Sequence, residues 1–212
     1  TVSLPFGTIN LDIAAVNDDP TALGIPSDLA VTEDLASDID LSSVSLDDID
    51  GDALTVTLSA SAGTLDAASA GGVTVAGAGT GALTLSGSAV DLNAYLDTLT
   101  AVQYTGAADV NGDNAATLSV TVDDGTVSLP FGTINLDIAA VNDDPTASGI
   151  PSDLAVTEDV ASDVDLSGVS FDDVDGDALT VTLNASAGTL NAASAGGVTV
   201  AGAGTGLLIL SG

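Results

Sequence analysis

Laid against itself, the sequence has one dominant offset, 125 residues, at which Thr1 to Gly87 align with Thr126 to Gly212 without a gap. Seventy-seven of those 87 positions are identical. The replacements Leu35/Val160, Ile39/Val164 and Leu46/Phe171 stay apolar, as expected where two copies must fill the same kind of core. A chain of this kind is constrained to an array of like units, each the length of one ordinary domain. A run ending Asn-Asp-Asp-Pro closes at Pro20 and again at Pro145, and proline after clustered acids stops a strand. These stops set the expected organisation: 1–16 as the last strand of a preceding repeat, 17–141 as a complete repeat and 142–212 as an incomplete following one. The chain opens without an initiator Met or a leader-like stretch, so an excerpt from a longer protein is expected.

Inside the complete repeat, period-two alternation and β-branched runs dominate, at 30–32, 39–41, 53–58, 72–75, 82–85, 102–104, 116–122 and 134–138, separated by Gly, Asp and Asn turns. One segment departs from that period. Ser88 to Asp91 reads as a helix cap, with Leu92, Tyr95, Leu96 and Leu99 following at helical spacing. The expected fold class is all-β: tandem antiparallel β-sandwich domains with one short helix per unit, the helix packed over one end of the sandwich.

Charge narrows the function. The chain has 31 acidic residues and no Lys, Arg or His, for a formal charge of −31. Without cationic side chains it can build no groove for a phosphate backbone, and an anionic bilayer repels it, so neither nucleic acid nor direct membrane insertion is expected. The mean hydropathy is +0.48, yet the uncharged run 67–90 is broken by six glycines, unlike a membrane-spanning helix. Missing His, Cys and Lys remove the usual general bases, activated nucleophiles and Schiff-base formers, and three Phe, two Tyr and no Trp cannot line a sugar cleft. No enzyme is expected.

The acids are clustered. Asn17, Asp18 and Asp19 stand at the boundary, Glu33 and Asp34 soon after it, Asp48, Asp50 and Asp52 in an Asp-Ile-Asp-Gly-Asp run, and Asp123 and Asp124 before Gly125. The downstream copy repeats the first three groups as Asn142, Asp143 and Asp144, then Glu158 and Asp159, then Asp173, Asp175 and Asp177. Two carboxylates about 4 Å apart repel by about 4 kcal/mol at an effective dielectric of about 20. Either the acids stay solvated and screened by salt, or a cation neutralises them. For Asp50 and Asp52, packed around a turn glycine, the cation reading is preferred. All-oxygen donors select Ca²⁺ over Zn²⁺ or Cu²⁺, which recruit His or Cys. The similar stretch Asp109-Val110-Asn111-Gly112-Asp113 is read as a plain hairpin turn and left out of the candidate ligands.

Five motifs taken in order, VTED (31–34), DIDGDALTVTL (48–58), DLNAYLDTLTAVQYTG (91–106), ATLSVTVDDG (116–125) and AAVNDDP (139–145), resemble the tandem cadherin-like repeats of giant bacterial surface adhesins of the RTX type. The resemblance covers the whole 125-residue unit. It implies cadherin-like or immunoglobulin-like sandwiches, secreted, located at the cell surface and stiffened by Ca²⁺ between adjacent repeats of the same chain. By motif, Asn17-Asp18-Asp19 is similar to the acidic linker of that family, Glu33 to its early glutamate, Asp50 with Asp52 to its paired aspartates, and Asp123 with Asp124 to its acidic turn. The sequence departs from true cadherins in carrying Ala15 where a further linker Asp is usual and in lacking the LDRE element. The expected function is a calcium-stiffened extender that projects binding modules. Its alternatives are a self-assembling filament or matrix subunit, partnered by identical chains, and a calcium-dependent glycan-binding module.

Overall fold

The computed structural model describes residues 1, 3 and 7–212. The chain divides into two compact units, Thr1–Ala140 and Val141–Gly212. In the first, β1 (Thr21–Leu23), β2 (Asp28–Thr32), β3 (Ala36–Asp38), β4 (Ser45–Asp47), β5 (Leu54–Ala60), β6 (Thr64–Ala67), β7 (Thr74–Ala76) and β8 (Ala82–Gly87) precede the helix α1 (Ala89–Leu96). After it come β9 (Val102–Thr105), β10 (Gly112–Asp123) and β11 (Ser128–Ala139). The second unit holds β12 (Thr146–Ser148), β13 (Ser170–Asp172), β14 (Thr180–Asn184), β15 (Thr199–Ala201) and β16 (Leu207–Ser211). The described chain is all-β apart from α1, and no described helix is long and apolar enough to cross a membrane.

The first unit is organised by the β10–β11 hairpin, two strands of twelve residues each. They form the middle of a six-stranded sheet of order β2-β11-β10-β5-β8-β7. Alternate residues point inward: Leu54, Val56 and Leu58 on β5, Leu118, Val120 and Val122 on β10, and Ile134, Leu136 and Ile138 on β11. A three-stranded sheet, β3-β9-β6, contributes Leu65, Val102 and Tyr104 to the same core cluster. Full burial of one such aliphatic side chain stabilises the fold by about 1.5–3 kcal/mol. The buried Tyr104 hydroxyl donates to the Ala62 carbonyl at 3.0 Å.

One pairing departs from the antiparallel expectation. β2 lies parallel to β11, from Asp28 opposite Asn135 to Thr32 opposite Ala139. A short hairpin forces neighbours to run in opposite directions, whereas β2 and β11 are separated by most of the unit and have the long crossover that a parallel pair needs.

α1 is short and well capped. The Ser88 hydroxyl oxygen caps the helix by accepting from the Asp91 amide at 3.1 Å, and the hydroxyl donates to the Asp91 carboxylate at 2.7 Å. Leu92, Tyr95 and Leu96 face the core, while Leu99 falls beyond the helix and is exposed. The Tyr95 hydroxyl is directed inward too, at 2.8 Å from the Ala68 carbonyl. The Asn93 side chain donates to the Leu46 carbonyl at 2.9 Å and accepts from the Leu46 amide at 2.8 Å. It thereby pins β4 to the helix much as a neighbouring strand would.

The second unit shows the same residues in different company. β14, β15 and β16 repeat the β5, β7 and β8 arrangement in the same register, Thr180 opposite Ser211 matching Thr55 opposite Ser86. The copies of β2 and β3 form no strands, and no described residue of this unit is helical, so a helix per unit is not found. The cause is partnership: β9 and β10 have no second copy in the 212 residues, nor does the helical segment. Val31 is 5% exposed and its copy Val156 65%, and Ile39 is 2% exposed against 43% for Val164. Residues 7–16, expected as a strand, are likewise exposed coil, because they lack the β10 and β2 neighbours that flank their copy in β11. Positions 2 and 4–6 of that expected strand lie outside the described residues.

Burial therefore assigns different weights to equivalent positions. Ile39→Ala should lower stability by about 2–5 kcal/mol, whereas Val164→Ala should change it by roughly 0.5 kcal/mol or less, as read by denaturant unfolding followed by circular dichroism. Equal losses would contradict the difference in packing between the copies.

Candidate metal centre

The clustered candidate acids of the first unit lie at the two ends of the β10–β11 ladder. At the end carrying its turn, β4 stops at Asp47 and β5 starts at Leu54, so the chain between them must reverse within a few residues. Gly51, at φ +77°, takes the left-handed backbone that other residues avoid, and its amide donates to the Asp48 carbonyl at 3.2 Å. This turn folds the loop back on Asp48, whose Oδ1 accepts from the amides of Asp50 and Asp52, each at 3.1 Å. Asp48 is only 7% exposed, and its Oδ2 is buried without a hydrogen-bond partner. Ligating oxygens of Asp48, Asp50 and Asp52 lie within 4.8 Å of one another.

The leading linker is tied to this loop. The Asp18 amide donates to Asp50 Oδ2 at 2.6 Å, and the Asn17 side chain donates to Asp124 Oδ2 and to the Asp18 carbonyl, both at 3.0 Å. Asp124, itself buried, also accepts through Oδ1 from the amides of Thr126 and Val127 at 2.7 Å. Those donors, Val127 first, then the Asn17 side chain and the Thr126 amide, hold its carboxyl below the ordinary carboxylate value. Asp123 uses Oδ1 to accept from the Gly125 amide at 2.8 Å. Asp19 is exposed.

Glu33 and Asp34 lie at the other end of the ladder. Glu33 follows β2, its amide donating to the Ala139 carbonyl at 3.0 Å, and its buried carboxylate accepts from the Asn111 side chain at 3.1 and 3.3 Å. Asp34 (φ +57°) and Asp109 (φ +58°) have carboxylate oxygens within 4.8 Å of each other. The 109–113 stretch, read from sequence as a plain turn, thus supplies the residue that holds Glu33. Its Asp-x-Asn-Gly-Asp pattern was the available signal. Beside it, the Asp113 carboxyl is pushed above its ordinary value by a hydrogen bond to the Asp137 side chain, then by the Asp137 charge, by burial and by the Asp28 charge. Asp137 also accepts from the Asn114 amide at 2.8 Å.

In the second unit the loop closes in the same way: the amides of Asp175 and Asp177 donate to Asp173 Oδ1 at 3.1 Å, and the Asp143 amide donates to Asp175 Oδ2 at 2.7 Å. The Asn142 side chain donates to the Asp143 carbonyl at 2.8 Å, and Asp144 is exposed. Glu158 and Asp159 are exposed, because the strand that would carry them is not formed.

Carboxylates crowded this closely, with one oxygen buried and no cationic side chain anywhere in the chain, match a hard divalent cation: the donors are all oxygen and come from a short, pre-turned loop. The chain's own groups provide no neutralising charge.

The two ends should answer acid in opposite senses. The lowered carboxyl of Asp124 contributes stability that is present above the ordinary value of 3.8 and is lost as pH falls through the lower folded value. The raised carboxyl of Asp113 contributes stability that is full below 3.8 and is lost as pH rises through the higher folded value. Carboxyl-detected NMR should find Asp124 titrating below 3.8 and Asp113 above it, and the reverse order would contradict both assignments.

Comparison with protein-family models and with curated proteins returned no match.

Proposed function

We propose that this chain is part of a calcium-stiffened extender in a large extracellular bacterial adhesin, a stalk of tandem β-sandwich units that carries binding modules away from a cell surface. The observation that carries the reading is the tie between linker and acidic loop: Asp18 is bonded to Asp50, Asn17 to Asp124, and the loop includes a buried carboxylate oxygen without a hydrogen bond. A cation held there stiffens the point at which the chain joins the unit.

Three further features support an extender. The linker meets the first unit at one end of the β10–β11 ladder and the chain leaves β11 at the other, a span of about 40 Å for twelve residues at about 3.3 Å each. Length is therefore added with each unit. Repeats 77 of 87 identical suit a spacer, whose copies need the same shape, better than a set of distinct binding surfaces. The absence of Lys and Arg leaves no cleavage site for trypsin-like proteases outside a cell. The partners on this reading are neighbouring repeats of the same chain, and the chain has no catalytic role.

Ca²⁺ is the ion of choice because a loop of several carboxylates suits six to eight flexible oxygen ligands, whereas Mg²⁺ demands near-octahedral geometry at shorter distances and keeps its waters. Thermal unfolding of the full chain should shift upward in millimolar Ca²⁺ relative to chelator, by about 2.7 kcal/mol per site at a free concentration about 100 times Kd, with a smaller shift in equal Mg²⁺. X-ray scattering in the same buffers should show a longer maximum dimension with Ca²⁺. Unchanged melting and dimension across the three conditions would overturn the proposal.

A further inference from the structure

The six-stranded sheet ends in β2 on one side and β7 on the other, and the two edges are guarded differently. An edge strand offers unpaired amides and carbonyls to any incoming strand, and charge is the common protection. β2 has it, since it begins at Asp28 and runs into Glu33 and Asp34. β7 has none: residues 67–90 carry no charged side chain, and in the second copy the uncharged stretch extends over 178–212. Repulsion from acids elsewhere is screened beyond about 8 Å at physiological ionic strength, so it gives such an edge little cover. Both copies present the same Val-Thr-Val-Ala at 73–76 and 198–201, so the strand that matches this edge in length and pattern is the same edge of another chain.

We propose that Ser69 and Ala70 form a built-in cover that closes the β7 edge against strand addition by a second copy of this chain, and that Ser194 and Ala195 close β15 in the same way. Backbone groups alternate in direction along a strand, and those of Val73 and Val75 face away from β8. The Val75 amide donates to the Ser69 hydroxyl oxygen at 2.9 Å. The Val73 amide donates to the Ala70 carbonyl at 2.8 Å, and the Ala70 amide donates to the Val73 carbonyl at 3.2 Å. An incoming strand therefore has to displace Ser69 and Ala70 before it can bond to this edge.

The cover is written into the local sequence. Bringing Ser69 and Ala70 back over the edge takes two consecutive left-handed residues, Gly71 at φ +58° and Gly72 at φ +88°. Their copies Gly196 and Gly197 stand at +59° and +88°. The second unit repeats the contacts as well, the Val200 amide donating to the Ser194 hydroxyl and the Val198 amide to the Ala195 carbonyl, each at 2.9 Å. It does so although its β2 and β3 copies are not strands, so the closure does not wait for a finished core.

The test compares the full 212-residue chain with a Ser69→Ala/Ser194→Ala double variant at about 0.15 M salt. Both serines are exposed, so the change leaves the fold and its thermal unfolding intact. Amide exchange followed by NMR should quicken about tenfold at Val75 and Val200, the loss of one hydrogen bond each, while the amides of β5 and β10 keep their rates. Sedimentation velocity should find a larger associated fraction in the variant than in the unchanged chain, rising with concentration, with Val75 and Val200 protected again in the associated form. Ser69→Thr/Ser194→Thr, which keeps both hydroxyls, should behave as the unchanged chain. Unaltered exchange in the alanine variant would show that the hydroxyls do not cover the edge. No gain in association despite open amides, or association that leaves Val75 and Val200 exchanging fast, would show that this edge is not where a second copy adds. Each of these results overturns the proposal.

Discussion

The β10–β11 ladder is the constraint on which everything else in the first unit depends. It supplies the partner for β5 on one flank and for β2 on the other, so both the six-stranded sheet and the core beneath it exist only where these two strands do. The repeated sequence makes the dependence visible. Residues that form β2 and β3 in one copy remain irregular in the other, while the antiparallel pair of β5 and β8 reappears as β14 and β16. Pairings between near neighbours in sequence close cheaply, and those spanning most of a domain need a partner that compensates for a long loop. The ladder also sets where chemistry is placed, because its turn carries Asp124 and its far end lies beside Glu33.

A second constraint is electrostatic. Buried carboxylates are ordinarily compensated by Arg, Lys or His, and this chain has none of the three. Asp124 is compensated by backbone amides and Asn17, and the Glu33 carboxylate accepts from Asn111. Asparagine thus occupies positions where a basic residue would serve in another protein. Amide dipoles soften the local field but leave the net charge unchanged, so the fold depends on the ionic content of its surroundings to an unusual degree.

Much of this was legible in the sequence, and what was not has identifiable reasons. The alternation at 116–122 and 134–138 marked the inner parts of β10 and β11, and Ser88 with Leu92, Tyr95 and Leu96 marked the helix. Period-two patterning reports which face is buried and not which strand lies alongside, so the parallel pairing of β2 with β11 was hidden. Nearly identical stretches that fold differently could not be separated by any local rule. Among the acids, spacing drew attention to Asp50 and Asp52, yet the side chain that turns inward is Asp48, a consequence of the bend at Gly51. Asn111 was passed over because a turn motif was sufficient to explain it.

The parallel edge has a mechanical meaning. A pull on the two ends of the first unit reaches β2 from its beginning and β11 from its end, and because the strands point the same way it draws them in opposite directions along their common axis. The backbone bonds from Asp28–Asn135 to Thr32–Ala139, together with those from Asn135 to Ser27 and from Glu33 to Ala139, then share the force in shear instead of parting one after another like a zip. Rupture along that axis requires them to break nearly together, so the edge that departs from the antiparallel pattern resists shear better than the hairpin edges do.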